Sequence, residues 1–200
     1  MVALDPALHA KALFDADREN RHERWTYLGA DASETWDEYS AWMTRTCLGD
    51  DPMFHAILDI DGRPVGIAAY LRIDPAMGSI EVGHINYTTS LQRTHAATEA
   101  MYLMLRRAFD ELGYRRYEWK CDSLNEPSRA AAARLGFTFE GVFRQHMVYK
   151  GRNRDTAWYS ITDAEWPALR TRFEHWLRSD NFDAVGRQIA GLGEPAGSLP

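Results

Sequence analysis

The chain has 200 residues, 45% of them hydrophobic and seven of them tryptophan, which suits one packed domain with at most a small appendage and excludes a disordered chain. A formal charge of −6 argues against a nucleic-acid partner and tolerates cationic amines. Cys47 and Cys121 are the two cysteines; without CxxC or metal-like spacing they point to a reducing compartment and to no bound metal. No apolar run reaches transmembrane length, so the expectation is a cytoplasmic protein away from membranes, a monomer or a homodimer.

The first fifty residues read as helices. In "DASETWDEYSAWMTRTCLG", Asp31 and Glu34 have capping-box spacing, and Trp36, Tyr39, Met43 and Cys47 recur at helical intervals before Gly49, Asp50 and Asp51 stop the pattern. "MFHAILDIDGRPVGIAAYLRID" is two apolar runs joined by Asp61-Gly62, a hairpin signal. "SIEVGHINYT" is a third strand with Gly83 where a bulge is tolerated. From Ala96 to Leu112 the residues Ala100, Leu103, Met104, Ala108 and Leu112 share one helical face, and Gly113 ends the helix.

"YRRYEWKCD" is the next strand. "NEPSRAAAARLG" is a short helix with Asn125 as N-cap, Pro127 in its first turn and Gly136 at its end. "FTFEGVFRQHMVYKGRNRDTAWYSIT" closes as a hairpin turned by residues 150–153, with a solvated tip and a structural Asp155. A last amphipathic helix from Asp163 carries Trp166, Leu169, Phe173 and Trp176. One domain is expected over residues 1–178, with residues 179–200 as a flexible tail. Antiparallel hairpins flanking a single strand–helix–strand crossover make a mixed α/β sheet, mostly antiparallel with one central parallel pair. The single crossover and the absence of GxGxxG or GxxxxGK[ST] exclude a doubly wound dinucleotide fold.

The segment "YTTSLQRTHAATEA" places a polar, small-residue turn between a strand and a helix. Backbone N–H groups from Arg93 to Ala97 would project unpaired from the helix start and, with the helix dipole, hold an anion. Thr94, Ala96 and Ala97 would let a ligand approach the backbone, and Arg93 adds charge. Taken alone, the same turn reads more readily as an ordinary helix start whose N–H groups bind water, because helix N-termini are common.

Three motifs in order resolve that choice. "QRTHAATEA" resembles the acyl-CoA pyrophosphate loop of the GNAT acyltransferase superfamily. "NEPSRAAAARLGFTFEGVFR" resembles that superfamily's Asn-x-x-Ser…Leu-Gly-Phe-x-x-Glu-Gly segment, and "YKGRNRDTAWYSI" is similar to the closing hairpin of its Rim-type ribosomal-protein N-acetyltransferase branch. The resemblance spans about residues 10 to 165. It implies a sheet splayed at the central parallel pair, helices on both faces, and acetyl-CoA as co-substrate. Its pantetheine arm would pair with the strand edge at Ile85, Asn86 and Tyr87, its pyrophosphate would sit on Gln92, Arg93, Thr94, His95, Ala96 and Ala97, and Asn125 and Ser128 would contact pantetheine and thiol.

The sequence departs from the family pattern at informative places. His95 replaces the first loop glycine, and one reading lays it over the phosphates. Ala132 stands where some members carry a tyrosine acid, Lys120 where some carry a glutamate base, and Met147 beside His146 where the branch often has a carboxylate. The implied reaction is direct attack of a primary amine, of a small molecule or a protein N-terminus, on the thioester. Ser128 is the candidate acid for the leaving thiolate, and Glu81 and then His84 are candidate bases. N–H groups near Gly83 and His84 are candidates to hold the oxyanion. His146 and Asp122 stand in reserve, and Cys121 reads as a buried strand cysteine. Trp36, Tyr39 and Trp42 are either acceptor-pocket wall or core. The competing reading is a non-catalytic acyl-CoA-binding sensor or partner module.

Overall fold

The computed structural model describes residues 1–193. A seven-stranded sheet runs in the order β1-β2-β3-β4-β5-β7-β6. Its strands are β1 (Val2–Ala3), β2 (Met53–Leu58), β3 (Pro64–Asp74), β4 (Ser79–Tyr87), β5 (Arg116–Asp122), β6 (Thr138–Tyr149) and β7 (Arg152–Thr162). The helices are α1 (Pro6–Asp17), α2 (Arg21–Trp25), α3 (Trp36–Thr46), α4 (His95–Arg106), α5 (Glu126–Arg134) and α6 (Trp166–Trp176). Every strand pair is antiparallel except β4 with β5.

Period-two alternation sends neighbouring side chains to two cores. On one face Ala68, Tyr70, Ile80, Val82, Tyr117, Trp119, Ala157, Tyr159 and Ile161 pack under Met101, Met104 and Leu105 of α4 and Leu169 and Phe173 of α6. On the other face Phe54, Ala56, Ile67 and Ala69 pack under Leu13, Phe14, Trp25, Tyr39, Trp42 and Met43 from α1, α2 and α3.

Several local expectations shift by a few residues. The capping box of α3 uses Thr35 and Glu38 rather than Asp31 and Glu34: Thr35 caps the Glu38 N–H, and the Glu38 carboxylate takes the Thr35 N–H. The helix expected through Leu112 narrows to α4 followed by a π turn over Arg107–Glu111, where Tyr70 donates to the Met104 carbonyl at 2.8 Å. The β6–β7 loop is the two residues Lys150 and Gly151, both at positive φ (49° and 70°), a type I′ geometry. Its tip is exposed as expected, while the Lys150 ammonium reaches back to donate to the Trp25 carbonyl at 2.6 Å. Asp155 is structural as expected, accepting from the Gln145 N–H at 2.7 Å and from Asn153 at 2.9 Å.

Where the sequence pointed to a flexible tail, residues 179–193 are folded onto α6. Asn181 donates to the Trp176 carbonyl at 3.0 Å and accepts from the Ala190 N–H at 2.9 Å. Leu192 is buried, and Arg172 holds its carbonyl. The rest of the expected tail, residues 194–200, lies outside the described residues.

The sheet is continuous at its start and parts in its middle. β4 and β5 pair only from Ser79 with Arg116 to Val82 with Trp119. Immediately beyond, β4 bulges against β3: Gly83 pairs with Ala69 and Asn86 with Ile67, so His84 and Ile85 together oppose Ala68. The bulge residue is His84, at φ 49°, and not Gly83. Gly83 answers a different constraint, because a Cβ there would lie 2.9 Å from Leu71 Cδ2. The bulge adds twist and turns β4 away from β5. Past it β4 keeps β3 as its neighbour, and the second half of β5 keeps β7.

The root of this split carries charge. Glu81 and Glu118 are direct cross-strand partners, and like charges so placed repel. The Lys120 ammonium sits between them, 2.9 Å from Glu81 Oε2 and 2.6 Å from Glu118 Oε2, over the Trp158 ring at 3.9 Å. Arg72 closes on Glu81 at 2.7 Å and Arg116 on Glu118 at 2.7 Å. Burial works to raise the Glu118 carboxyl, but hydrogen bonds from Lys120 and Arg116 outweigh it and hold the group below the usual range.

A folded-state pKa below 4.5 for Glu118 contributes stability above that pH and loses it as pH falls through the lowered value. Lys120→Met should therefore destabilise by about 3–5 kcal/mol near neutral pH, the usual scale for orphaning a buried charge. The deficit should shrink below pH 4.5. Denaturant unfolding at both pH values checks this, and a deficit independent of pH would contradict the clamp.

Candidate active site

Two helix starts open onto the parted strands. β4 leads through Thr88–Arg93 into α4, and β5 leads through Ser123 and Leu124 into α5. Thr94 is the N-cap of α4, its hydroxyl accepting the Ala97 N–H at 3.2 Å. The Gln92 and Thr94 N–H groups turn back to the Thr88 and Leu91 carbonyls. Among the described residues, the N–H groups of Arg93, His95 and Ala96 find no acceptor. The anion-binding capacity expected of Arg93–Ala97 thus narrows to these three backbone donors. Arg93, at φ 60°, takes the left-handed turn, and His95 is an ordinary first helical residue. A histidine therefore fits where the family pattern has glycine, because this position needs no left-handed backbone.

The His95 ring does not lie over the turn. It stacks on Trp176 at 5.6 Å, meets the edge of Phe182 at 4.9 Å and lies 3.1 Å from the Leu177 carbonyl through Nε2. The C-terminal segment therefore buttresses the start of α4. Arg134, which the sequence reading passed over, donates to Thr98 Oγ1 at 3.1 Å and adds a cation at the first turn. Along β4, the Tyr87 carbonyl is already taken by Gln92 Nε2 at 3.0 Å and Arg24 Nη1 at 3.2 Å. Asn86 is paired with Ile67 on β3, and the Thr88 N–H reaches the Val65 carbonyl in the same register, so the backbone left toward the split is that of Ile85 and the Tyr87 N–H.

On the β5 side, Asn125 caps α5 by accepting the Ser128 N–H at 3.1 Å, which leaves its amide NH2 to donate. Ser128 Oγ accepts from the Trp119 indole at 3.0 Å. An indole N–H only donates, so Ser128 keeps its own proton for another acceptor. Burial pushes the neighbouring Cys121 thiol up in spite of a hydrogen bond with Ser128, so Cys121 is a protonated strand residue and not a nucleophile. Ala132 is fully buried and has no acid to offer.

The candidate bases separate clearly. Glu81 is buried and held by both Arg72 and Lys120. Asp122 accepts from Tyr149 at 2.8 Å and the Leu124 N–H at 2.9 Å, and His146 lies on β6 beside Thr156 at 2.9 Å. His84 differs: the bulge carries its ring into a cavity of about 250 Å³ between β4 and the α2–α3 layer. Burial first, and the charge of Arg72 second, lower its pKa from 6.5, so the imidazole is neutral at pH 7 and able to accept a proton.

That cavity is walled by Trp25, Leu28, Trp42 and Ile67, with Arg45, Thr46, His84 and Asn86 as polar groups. Of the expected aromatic stripe only Trp42 reaches it; Tyr39 is buried in the core, and Trp36 packs on Phe14 at 5.8 Å. Trp25 and Arg45 were missed. Arg45 was legible, because it follows Trp42 by three residues on one helix face, whereas Trp25 reaches the cavity only through tertiary packing. No group of three or more His, Cys, Asp or Glu side chains among the described residues is placed to hold a metal ion, and no helix among them is long and apolar enough to cross a membrane.

Comparison with known proteins adds independent observations. Residues 1–138 match the family described as "Acetyltransferase (GNAT) domain". A crystal structure of a GCN5-related N-acetyltransferase from Brucella melitensis superposes with a TM-score of 0.93 at 47% identity, covering 95% of this chain and 87% of that one. A GNAT-family structure from Chromobacterium violaceum gives a TM-score of 0.78 at 43% identity over 83% of each chain. Among curated proteins, "Putative ribosomal N-acetyltransferase YdaF" of Bacillus subtilis is 26% identical over 150 residues, 74% of this chain and 81% of the relative.

Proposed function

Because the chain belongs to the GNAT acetyltransferase family, we propose that it transfers an acetyl group from acetyl-CoA to a primary amine by direct attack. The observation that carries this reading is the parting of β4 from β5 beyond Val82 and Trp119, with the starts of α4 and α5 opening on either side. In this reading the pantetheine arm adds to the β4 edge at Ile85 and Tyr87 as a strand would. The pyrophosphate takes the N–H groups of Arg93, His95 and Ala96 at the positive end of α4. Asn125 donates to a pantetheine carbonyl.

The acceptor approaches from the cavity beside His84, on the sheet face covered by α2 and α3. Its nitrogen lone pair attacks the thioester carbonyl and the carbon–nitrogen bond forms. Backbone N–H groups at the bulge steady the oxyanion. His84 takes the amine proton, a role Glu81 cannot share while two cations hold it. The carbon–sulfur bond then breaks, Ser128 passes a proton to the departing thiolate, and the proton that His84 took returns to the Ser128 oxygen through solvent.

Ser128→Ala should lower kcat by roughly 10²-fold, the low end for a positioned general acid, with little change in KM for acetyl-CoA. The loss should shrink with acyl donors whose thiols leave more readily. Full kcat in the variant, or a defect blind to the leaving group, would reduce Ser128 to a binding residue and leave protonation of the thiolate to solvent.

The pH profile tests His84 separately. Its lowered pKa keeps it neutral, and the enzyme active, until pH falls below 6.5. With an acceptor amine of low pKa, the acid limb of kcat/KM should therefore lie below 6.5 and disappear in His84→Gln along with most of the rate. An identical limb in the variant would assign the proton to solvent.

A further inference from the structure

The charge of the cavity beside His84 runs against that of the whole molecule. The chain carries −6 overall, yet the charged group lining the cavity is Arg45, and no Asp or Glu lines it. The carboxylates around it are committed elsewhere. Asp17 holds Arg24 and accepts from the Trp25 indole at 2.9 Å, and Glu81 holds Arg72 and Lys120. Arg45 makes no ion pair among the described residues and is exposed at the mouth. The walls are apolar: Trp25 and Trp42 meet at 4.9 Å, edge to face, and with Leu28 and Ile67 they leave about 250 Å³. That is near the lower limit for small-molecule sites.

We infer that Arg45 selects the acceptor, and that the acceptor is a small primary amine with an apolar body and a carboxylate, in the manner of a free aromatic or branched amino acid. The inference rests on the proposed transfer to an amine and narrows its substrate. The amine nitrogen lies toward His84, the apolar body lies against the indole wall with Leu28 and Ile67, and the carboxylate meets the Arg45 guanidinium with Thr46 beside it. A polyamine has no place here. Its second cation would enter an apolar slot facing Arg45 without a carboxylate to receive it, which costs both desolvation and repulsion. A peptide N-terminus can offer the apolar body but brings an amide where Arg45 expects a charge.

The experiment compares L-phenylalanine, L-phenylalaninamide, 2-phenylethylamine and spermidine as acceptors. Binding is measured by calorimetric titration into the protein saturated with CoA, and transfer by kcat/KM with acetyl-CoA. Phenylalanine should bind more tightly than its amide by about fivefold, the scale of a guanidinium–carboxylate pair at a half-open site, and spermidine should bind least. Arg45→Gln should erase the ratio and Arg45→Glu should invert it. The amide's amine loses its proton more easily, so a higher rate with the free acid is not explained by amine acidity. A ratio unchanged in Arg45→Gln, or a preference for spermidine, overturns the inference. If none of the amines is acetylated but the Arg45-dependent binding preference persists, the inference stands and the transfer reading is what fails.

Discussion

Everything in this molecule depends on two strands that run parallel for four residue pairs and then cannot continue. The bulge at His84 gives β4 one residue more than β3 can match, and the added twist takes β4 out of reach of β5. A parted sheet exposes backbone that would ordinarily be paired, a cost a soluble fold accepts only where a ligand or another chain can satisfy it. The same bulge rotates His84 into the cavity beside the split. One backbone irregularity thus parts the sheet and places a neutral imidazole beside the opening.

The charges at the root of the split hold the two strands in that arrangement. Glu81 on β4 and Glu118 on β5 face each other, and Lys120 bridges them from the same sheet face. This gives Lys120 a physical reason to stand where some family members carry a glutamate base. A carboxylate there would add a third negative charge to a buried pair, whereas the ammonium neutralises it. Glu81 is thereby fastened at the hinge by two cations, which leaves His84 as the candidate base. The helical layer makes a second contribution: α2 and α3 supply the indole walls, and Lys150 pins the β6–β7 hairpin to the Trp25 carbonyl across the molecule. Behind α4, His95 ties the start of that helix to Trp176, Leu177 and Phe182, so the C-terminal segment supports the helix start.

What the sequence made legible was local. Asp61-Gly62, Asn125 with Pro127, and Gly113 after an amphipathic run each encode a turn or cap within a few residues, and each lies where expected. The mixed sheet with one parallel pair followed from the order of elements. The misses came from competition between neighbours or from distance. Two carboxylates, Glu34 and Glu38, compete to close the box of α3, and Thr35 decides it by fitting the N-cap geometry better than Asp31. Gly83 drew attention as a bulge site, but its small size serves Leu71 across the strand, and a histidine takes the positive φ. The clamp at Lys120, the docking of Lys150 and the meeting of Trp25 with Trp42, Ile67 and His84 join residues far apart in the chain, and no short pattern encodes them.

Amide hydrogen exchange with and without acetyl-CoA tests the central claim most directly. The account predicts that acetyl-CoA slows exchange at Ile85 and Tyr87 on β4 and at Arg93, His95 and Ala96 at the start of α4, while the paired amides of β2 and β3 stay unchanged. Protection confined to other elements, or no protection at saturating acetyl-CoA, would show that the parted strands are not where the acyl donor binds.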